Sequence, residues 1–120
     1  MPKRIYIVDD DSIFLLISSR LIKKLYPAMM VETFKNGELA IEGLQHGQPD
    51  VLFLDLNMPI MDGWIFLDKM QETYAHPPFD LYISSSSINP QDKQRAHDNP
   101  FVKGFIEKPW DSEDLERILE

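Results

Sequence analysis

Two rhythms of apolar and polar positions alternate along this chain. Short runs rich in Ile, Val, Leu and Phe recur, and between them lie longer stretches with apolar residues at helical spacing. The first run, Arg4 to Val8, has the pattern of a buried strand. The spacing predicts a helix from about Ser12 to Leu25, with Ile13, Ile17, Leu21 and Leu25 at steps of four marking its buried face and Pro27 closing it. Met30 to Phe34 reads as a second strand. Asn36-Gly37 then turns into a helix over about Glu38 to His46, with Leu39, Ala40, Gly43 and Leu44 on one side. Val51 to Asp55 is the most uniformly apolar run, so it is expected as a third strand at the sheet centre, covered on both faces. After a loop holding Pro59 and Gly63, Trp64 to Tyr74 predicts a third helix, and Leu81 to Ser84 a fourth strand. Pro90, at a first helical position after Asn89, opens a short polar helix to about Asp98. Gly104 to Glu107 reads as a fifth strand. Asp111 or Ser112 caps a last helix, which reads as cut short at the end of the segment.

Strand–helix alternation of this kind predicts an α/β fold with a parallel sheet and a single domain over residues 1–120. Ligands of such sheets bind beyond the carboxyl ends of the strands, where the strand order reverses. The chemistry-bearing residues of this chain fall at those ends. Asp9, Asp10 and Asp11 follow the first strand, Asp55 ends the third, Ser84 to Ser87 lie at the end of the fourth, and Lys108 follows the fifth. Each part alone has a bland reading as a solvated turn, a helix cap or a loop. Their convergence on one rim is what points to a site.

Composition narrows the chemistry. The chain carries 12 Lys and Arg against 20 Asp and Glu, a formal charge of −8, which is a poor match for a nucleic-acid backbone. Direct nucleic-acid binding by this segment is therefore not expected. It contains no cysteine, which excludes disulfides and thiolate metal sites. The apolar runs are too short to span a bilayer, and the stretch after the basic N-terminus meets three aspartates instead of a signal-peptide pattern, so no membrane partner is expected and a cytoplasmic location is the default. His46, His76 and His97 show no metal-ligand spacing.

In a doubly wound sheet the first and third strands are neighbours, which brings Asp9, Asp10 and Asp55 together. Two carboxylates ~4 Å apart repel by about 4 kcal/mol at an effective dielectric near 20, so three need a counter-charge. A hard, oxygen-loving divalent cation such as Mg²⁺ meets that need and keeps coordination places for phosphate oxygens. The Lys108 ammonium adds a point contact to a phosphate oxygen, and a serine hydroxyl from the fourth strand end can donate to another. Such a set stabilises charge on a phosphoryl group in flight to a carboxylate.

These residues resemble the response-regulator receiver domains of bacterial two-component systems, including the single-domain chemotaxis type. Ile5-Tyr-Ile-Val-Asp9-Asp10-Asp11 looks like the family's acidic pair after the first strand. Leu54-Asp55-Leu-Asn57-Met-Pro59-Ile-Met-Asp62-Gly63 looks like its phosphorylation loop and is the most specific signal. Ile83-Ser84-Ser85-Ser86-Ser87 looks like the fourth-strand end, and Phe105-Ile-Glu-Lys108-Pro109 like the switch aromatic followed by Lys-Pro. The resemblance implies a flavodoxin-like (βα)₅ sheet of order 2-1-3-4-5. It also implies that Asp55 accepts a phosphoryl group from a phosphohistidine of a sensor histidine kinase or a histidine phosphotransfer protein. Asp10, Asp55 and the backbone carbonyl of Asn57 would hold Mg²⁺, with Asp9 acting mostly through water. Lys108 and Ser85 would contact phosphoryl oxygens, Phe105 would swing inward as the switch, and the Lys108-Pro109 bond would be cis. The fourth helix, fifth strand and last helix would form the output face for an unknown partner. The serine run leaves Ser84 as an alternative to Ser85, and Phe105 lacks the hydroxyl that some relatives carry.

Three rival readings differ at particular residues. Asp-nucleophile, Mg²⁺-dependent phosphatases want a second Asp two positions on, where this chain has Asn57. A flavin-binding module wants a Ser/Thr/Gly-rich phosphate loop where Asp9 to Asp11 stand. A pseudo-receiver, acting only as an interaction module, usually lacks an acid or the lysine, and this chain keeps all of them.

Overall fold

A computed structural model describes residues 3–86 and 89–120. Five strands and five helices alternate: β1 (Arg4–Val8), α1 (Ser12–Leu25), β2 (Met30–Phe34), α2 (Gly37–His46), β3 (Val51–Leu54), α3 (Gly63–Thr73), β4 (Asp80–Ser85), α4 (Pro90–His97), β5 (Gly104–Glu107) and α5 (Ser112–Leu119). The sheet is parallel throughout, in the order β2-β1-β3-β4-β5, with β3 at its centre as its apolar run predicts. Ser87, the last of the serine run, lies outside the described residues.

Side chains alternate across each strand and feed two cores. Tyr6, Val8, Leu52, Leu54, Leu81 and Ile83 pack on one face beneath Ala40 and Leu44 of α2, Phe66, Leu67 and Met70 of α3, and Ala96 of α4. Ile5, Ile7, Val51, Phe53, Tyr82 and Ile106 pack on the other face against Leu15 and Ile22 of α1 and Leu115 and Leu119 of α5. Burial on both faces explains why β1 and β3 read as continuous apolar runs, each large side chain contributing about 1.5–3 kcal/mol on burial.

Every helix begins at an Asp or Asn whose side chain accepts from backbone N–H groups of the first turn: Asp11, Asn36, Asp62, Asn89 and Asp111. Each such cap is worth ~1 kcal/mol and fixes where its strand-to-helix loop ends.

The predicted buried face of α1 is corrected by the structure. Ile13 and Ile17 are 70% and 60% exposed, and the buried positions are Leu15, Ser18 and Ile22. Ile13 to Ile17 are all apolar, so this turn and a half carries no phase information. The cap at Asp11 and the packing of Leu15 and Ile22 set the phase instead. Leu39 is likewise exposed, while Ala40 and Leu44 face inward.

Candidate functional site

Backbone hydrogen bonds continue past the strand ends and hold the acidic residues side by side. The Asp9 N–H donates to the Phe34 carbonyl at 3.0 Å, and the Asp55 N–H donates to the Val8 carbonyl at 2.9 Å. Carboxylate oxygens of Asp9, Asp10 and Asp55 therefore lie within 4.8 Å of one another. Asp9 and Asp55 are buried and Asp10 is exposed, so the cluster reaches from the interior to the surface. Asp9 is further fixed by the Asp11 N–H, which donates to Asp9 Oδ1 at 2.9 Å.

Lys108 enters from the end of β5. Its N–H donates to the Ser85 carbonyl at 3.0 Å, extending the ladder by one step, and the Lys108-Pro109 bond is cis. The ammonium forms an ion pair with Asp9 and stands 3.5 Å from Asp55 Oδ1. It also lies 4.6 Å from the centroid of the Phe14 ring. Phe14 and Trp110 are not singled out by any local sequence pattern. Trp110 packs edge to face on Phe14 at 5.1 Å, lies 4.5 Å from Phe53, and donates its indole N–H to Ser84 Oγ at 3.0 Å.

Burial drives the Asp55 carboxyl up to about 6, and the nearby Asp9 charge pushes the same way. The Lys108 ammonium and the Asn57 N–H, which donates to Asp55 Oδ1 at 3.4 Å, pull against that rise without cancelling it. The Lys108 ammonium thus leaves the buried Asp55 carboxylate only partly compensated. The donor set is all oxygen, with three carboxylates within 4.8 Å of one another, which fits a hard divalent cation.

The loop after Asp55 is drawn tight. The Gly63 N–H donates to the Leu56 carbonyl at 2.9 Å, and a Cβ at Gly63 would fall 2.7 Å from the Asp55 carbonyl oxygen, so only glycine permits this close approach. Asn57 lies exposed beside Asp55. Ile60, 92% exposed, holds φ at 70°, a left-handed conformation that a β-branched residue rarely adopts.

Ser84 and Ser85 are both buried, but strand alternation sends them to opposite faces. Ser84 shares the face of Tyr82, where Trp110 engages its hydroxyl. Ser85 shares the face of Ile83, which pairs in register with Phe105. Phe105 is half-buried and packs on that same core. Beside it a depression of about 520 Å³ opens between α4, β5 and α5, lined by Lys93, Glu107 and Arg117 among others. His46, His76 and His97 are all exposed.

The model of the response regulator receiver domain family matches residues 5–120, and the chain belongs to that family of two-component signalling domains. It is 28% identical over 119 residues to the DNA-binding transcriptional regulator NtrC of Proteus hauseri, covering 97% of this chain and 24% of that protein. Among solved structures, Vibrio cholerae chemotaxis protein CheY4 superposes with a TM-score of 0.82 at 26% identity, covering 99% of this chain and 97% of that one. A response regulator receiver protein from Dyadobacter fermentans superposes with a TM-score of 0.86 at 27% identity, covering 98% and 94%. The chain spans between 24% and 33% of the length of curated relatives such as NtrC and the transcriptional regulatory protein YpdB of Escherichia coli. No described helix is long and apolar enough to cross a membrane.

Proposed function

We propose that residues 1–120 act as one phospho-accepting receiver, in which Asp55 takes a phosphoryl group from a phosphohistidine of a sensor kinase or phosphotransfer protein. The observation that carries this reading is the meeting of Asp9, Asp10 and Asp55 within 4.8 Å under the Lys108 ammonium. An Asp55 carboxylate oxygen attacks phosphorus as the phosphorus–nitrogen bond to the donor imidazole breaks. The bonding pair leaves with the imidazole nitrogen, which is then protonated, and Asp55 becomes an acyl phosphate. Asp10, Asp55 and the Asn57 carbonyl, with Asp9 mostly through water, would hold Mg²⁺, which would supply the positive charge that offsets the carboxylates and the phosphoryl oxygens. Lys108 and Ser85 contact phosphoryl oxygens, and the pocket likewise assists later hydrolysis of the acyl phosphate.

Readout follows from which face each serine occupies. Ser85, drawn to the phosphoryl group, and Phe105 on the same face form the switch, and the α4-β5-α5 surface is the output face. The segment acts in the cytoplasm without binding nucleic acid itself. An acyl phosphate donor with Mg²⁺ should add one phosphoryl group to the wild type and none to Asp55→Asn, and a chelator should stop the reaction. Labelling of Asp55→Asn at the wild-type rate rules this function out.

A further inference from the structure

The contact of Lys108 with the Phe14 ring belongs to none of the roles assigned so far. We infer that Phe14 is a positioning residue for phosphoryl transfer, its ring face holding the Lys108 ammonium over Asp55 while Trp110, tied to Ser84, holds the ring. This rests on the phosphoryl transfer proposed above and adds to it the group that keeps Lys108 in place.

Lys108 carries its charge on a flexible four-carbon stem, so its position depends on what grips the ammonium. In the structure the grip comes from Asp9 and Asp55 and from the ring of Phe14, 4.6 Å away at its centroid. The two carboxylates are also part of the cluster that fits a cation. Once their charge is shared with Mg²⁺, their hold on Lys108 weakens, at the moment when the ammonium must meet an incoming phosphoryl oxygen. The ring face neither titrates nor binds the metal. Its attraction for the ammonium is the same before and after the cation arrives.

Phe14 is held at its backbone and at its ring. The Phe14 N–H donates to Asp11 Oδ1 at 3.1 Å, so the residue belongs to the capped first turn of α1. Its ring meets Trp110 at 5.1 Å with an interplanar angle of 88°. Trp110 is 7% exposed, lies 4.5 Å from Phe53 on the central strand, and gives its indole N–H to Ser84 at 3.0 Å. A buried indole needs such a partner, and having one fixes the ring in its plane. Trp110 directly follows Pro109, so the segment that aims Lys108 into the pocket also supports the ring on which Lys108 rests.

The test compares Phe14→Leu, Phe14→Met and Phe14→Tyr with the wild type. Phe14→Tyr keeps the ring face, while the other two keep apolar bulk without it. With an acyl phosphate donor and saturating Mg²⁺, Phe14→Leu and Phe14→Met should be labelled about fivefold more slowly, about 1 kcal/mol at 1.4 kcal/mol per decade, and Phe14→Tyr within about twofold of wild type. In a Lys108→Ala background Phe14→Leu should cause no further slowing. Two readouts need no phosphodonor. Mg²⁺ affinity, followed by Trp110 fluorescence in a Trp64→Phe background, should change less than about twofold on Phe14→Leu. In metal-free protein the Lys108 ε-methylene protons should show a ring-current shift in wild type and Phe14→Tyr only. Wild-type labelling rates in both Phe14→Leu and Phe14→Met overturn the inference. Equal slowing in Phe14→Tyr, or the same slowing in the Lys108→Ala background, also overturns it, because the effect is then one of packing. A wild type that is not labelled at all refutes the proposed function instead, and the ring-current shift still tests the Phe14–Lys108 contact.

Discussion

Replacing Asp55 by Asn should stabilise the metal-free protein, and the gain should grow with pH. The Asp55 carboxyl is raised from 3.8 to about 6 in the folded state, chiefly by burial and then by Asp9. A folded pKa above the unfolded one means that the folded state holds its proton more tightly. The resulting stability is fully present below about pH 4 and is lost as pH rises through about 6. At 1.36 kcal/mol per unit, a shift of this size is worth about 2–3 kcal/mol, and the Asp55 side chain is only 7% exposed, so solvent screening removes little of it. Domains of this size are stable by only about 5–15 kcal/mol, so the effect is measurable. The amide that replaces the carboxyl does not titrate. Urea unfolding of both proteins should therefore give a stability difference that widens in favour of Asp55→Asn by about 2–3 kcal/mol between about pH 4 and pH 7.5. Saturating Mg²⁺ should reverse the order at the higher pH, since a cation that binds the ionised cluster stabilises wild type preferentially. A difference that stays flat or narrows as pH rises contradicts the strained-carboxylate picture of the site.

Ile60→Gly should raise stability by about 1 kcal/mol in thermal or urea unfolding, because it relieves a β-branched residue at φ 70° and removes little packing from a side chain 92% exposed; a loss of stability contradicts that strain. Amide exchange in α4 should be faster than in β3, since Ala96 is its one buried residue and the Arg95 guanidinium tethers it to α3 from 4.3 Å off the Trp64 ring; Arg95→Ala should speed it further, and equal protection of Pro90–His97 and Val51–Leu54 counts against this. Ser85→Ala should still accept a phosphoryl group but lose most of the beryllofluoride-induced NMR shift at Phe105, worth about 1.5–3 kcal/mol for a hydrogen bond to a charged group, whereas a full wild-type shift moves the trigger elsewhere.

The fold was legible because its signals are local and mutually consistent. Apolar runs bounded by Asp, Asn, Gly and Pro mark β1 to β5, and the helix starts read at Ser12, Glu38, Trp64, Pro90 and after the Asp111 or Ser112 cap fall within about one residue of those observed. The acidic cluster was legible because a parallel sheet puts all its strand ends on one rim, so Asp9, Asp10, Asp55 and Lys108 could be placed together from topology alone. The phase of α1 was not legible, since Ile13 to Ile17 offer apolar residues on every side and only the match of Leu15 and Ile22 to the sheet decides. Strand alternation separates Ser84 from Ser85, but only once Trp110 is seen to bind the Ser84 hydroxyl does the difference acquire chemistry. The contact of Lys108 with Phe14 spans most of the chain and leaves no local pattern to read.

The most direct measurement is the location of the phosphoryl group itself. Protein incubated with an acyl phosphate donor and Mg²⁺ is treated with borohydride, which reduces an aspartyl phosphate to homoserine, and the peptides are sequenced. Homoserine in place of Asp55, absent when the donor or Mg²⁺ is left out, is the expected result. Homoserine in place of Asp9 or Asp10 instead, or at no position under conditions that label a known receiver, contradicts the assignment of Asp55 as the phosphoacceptor.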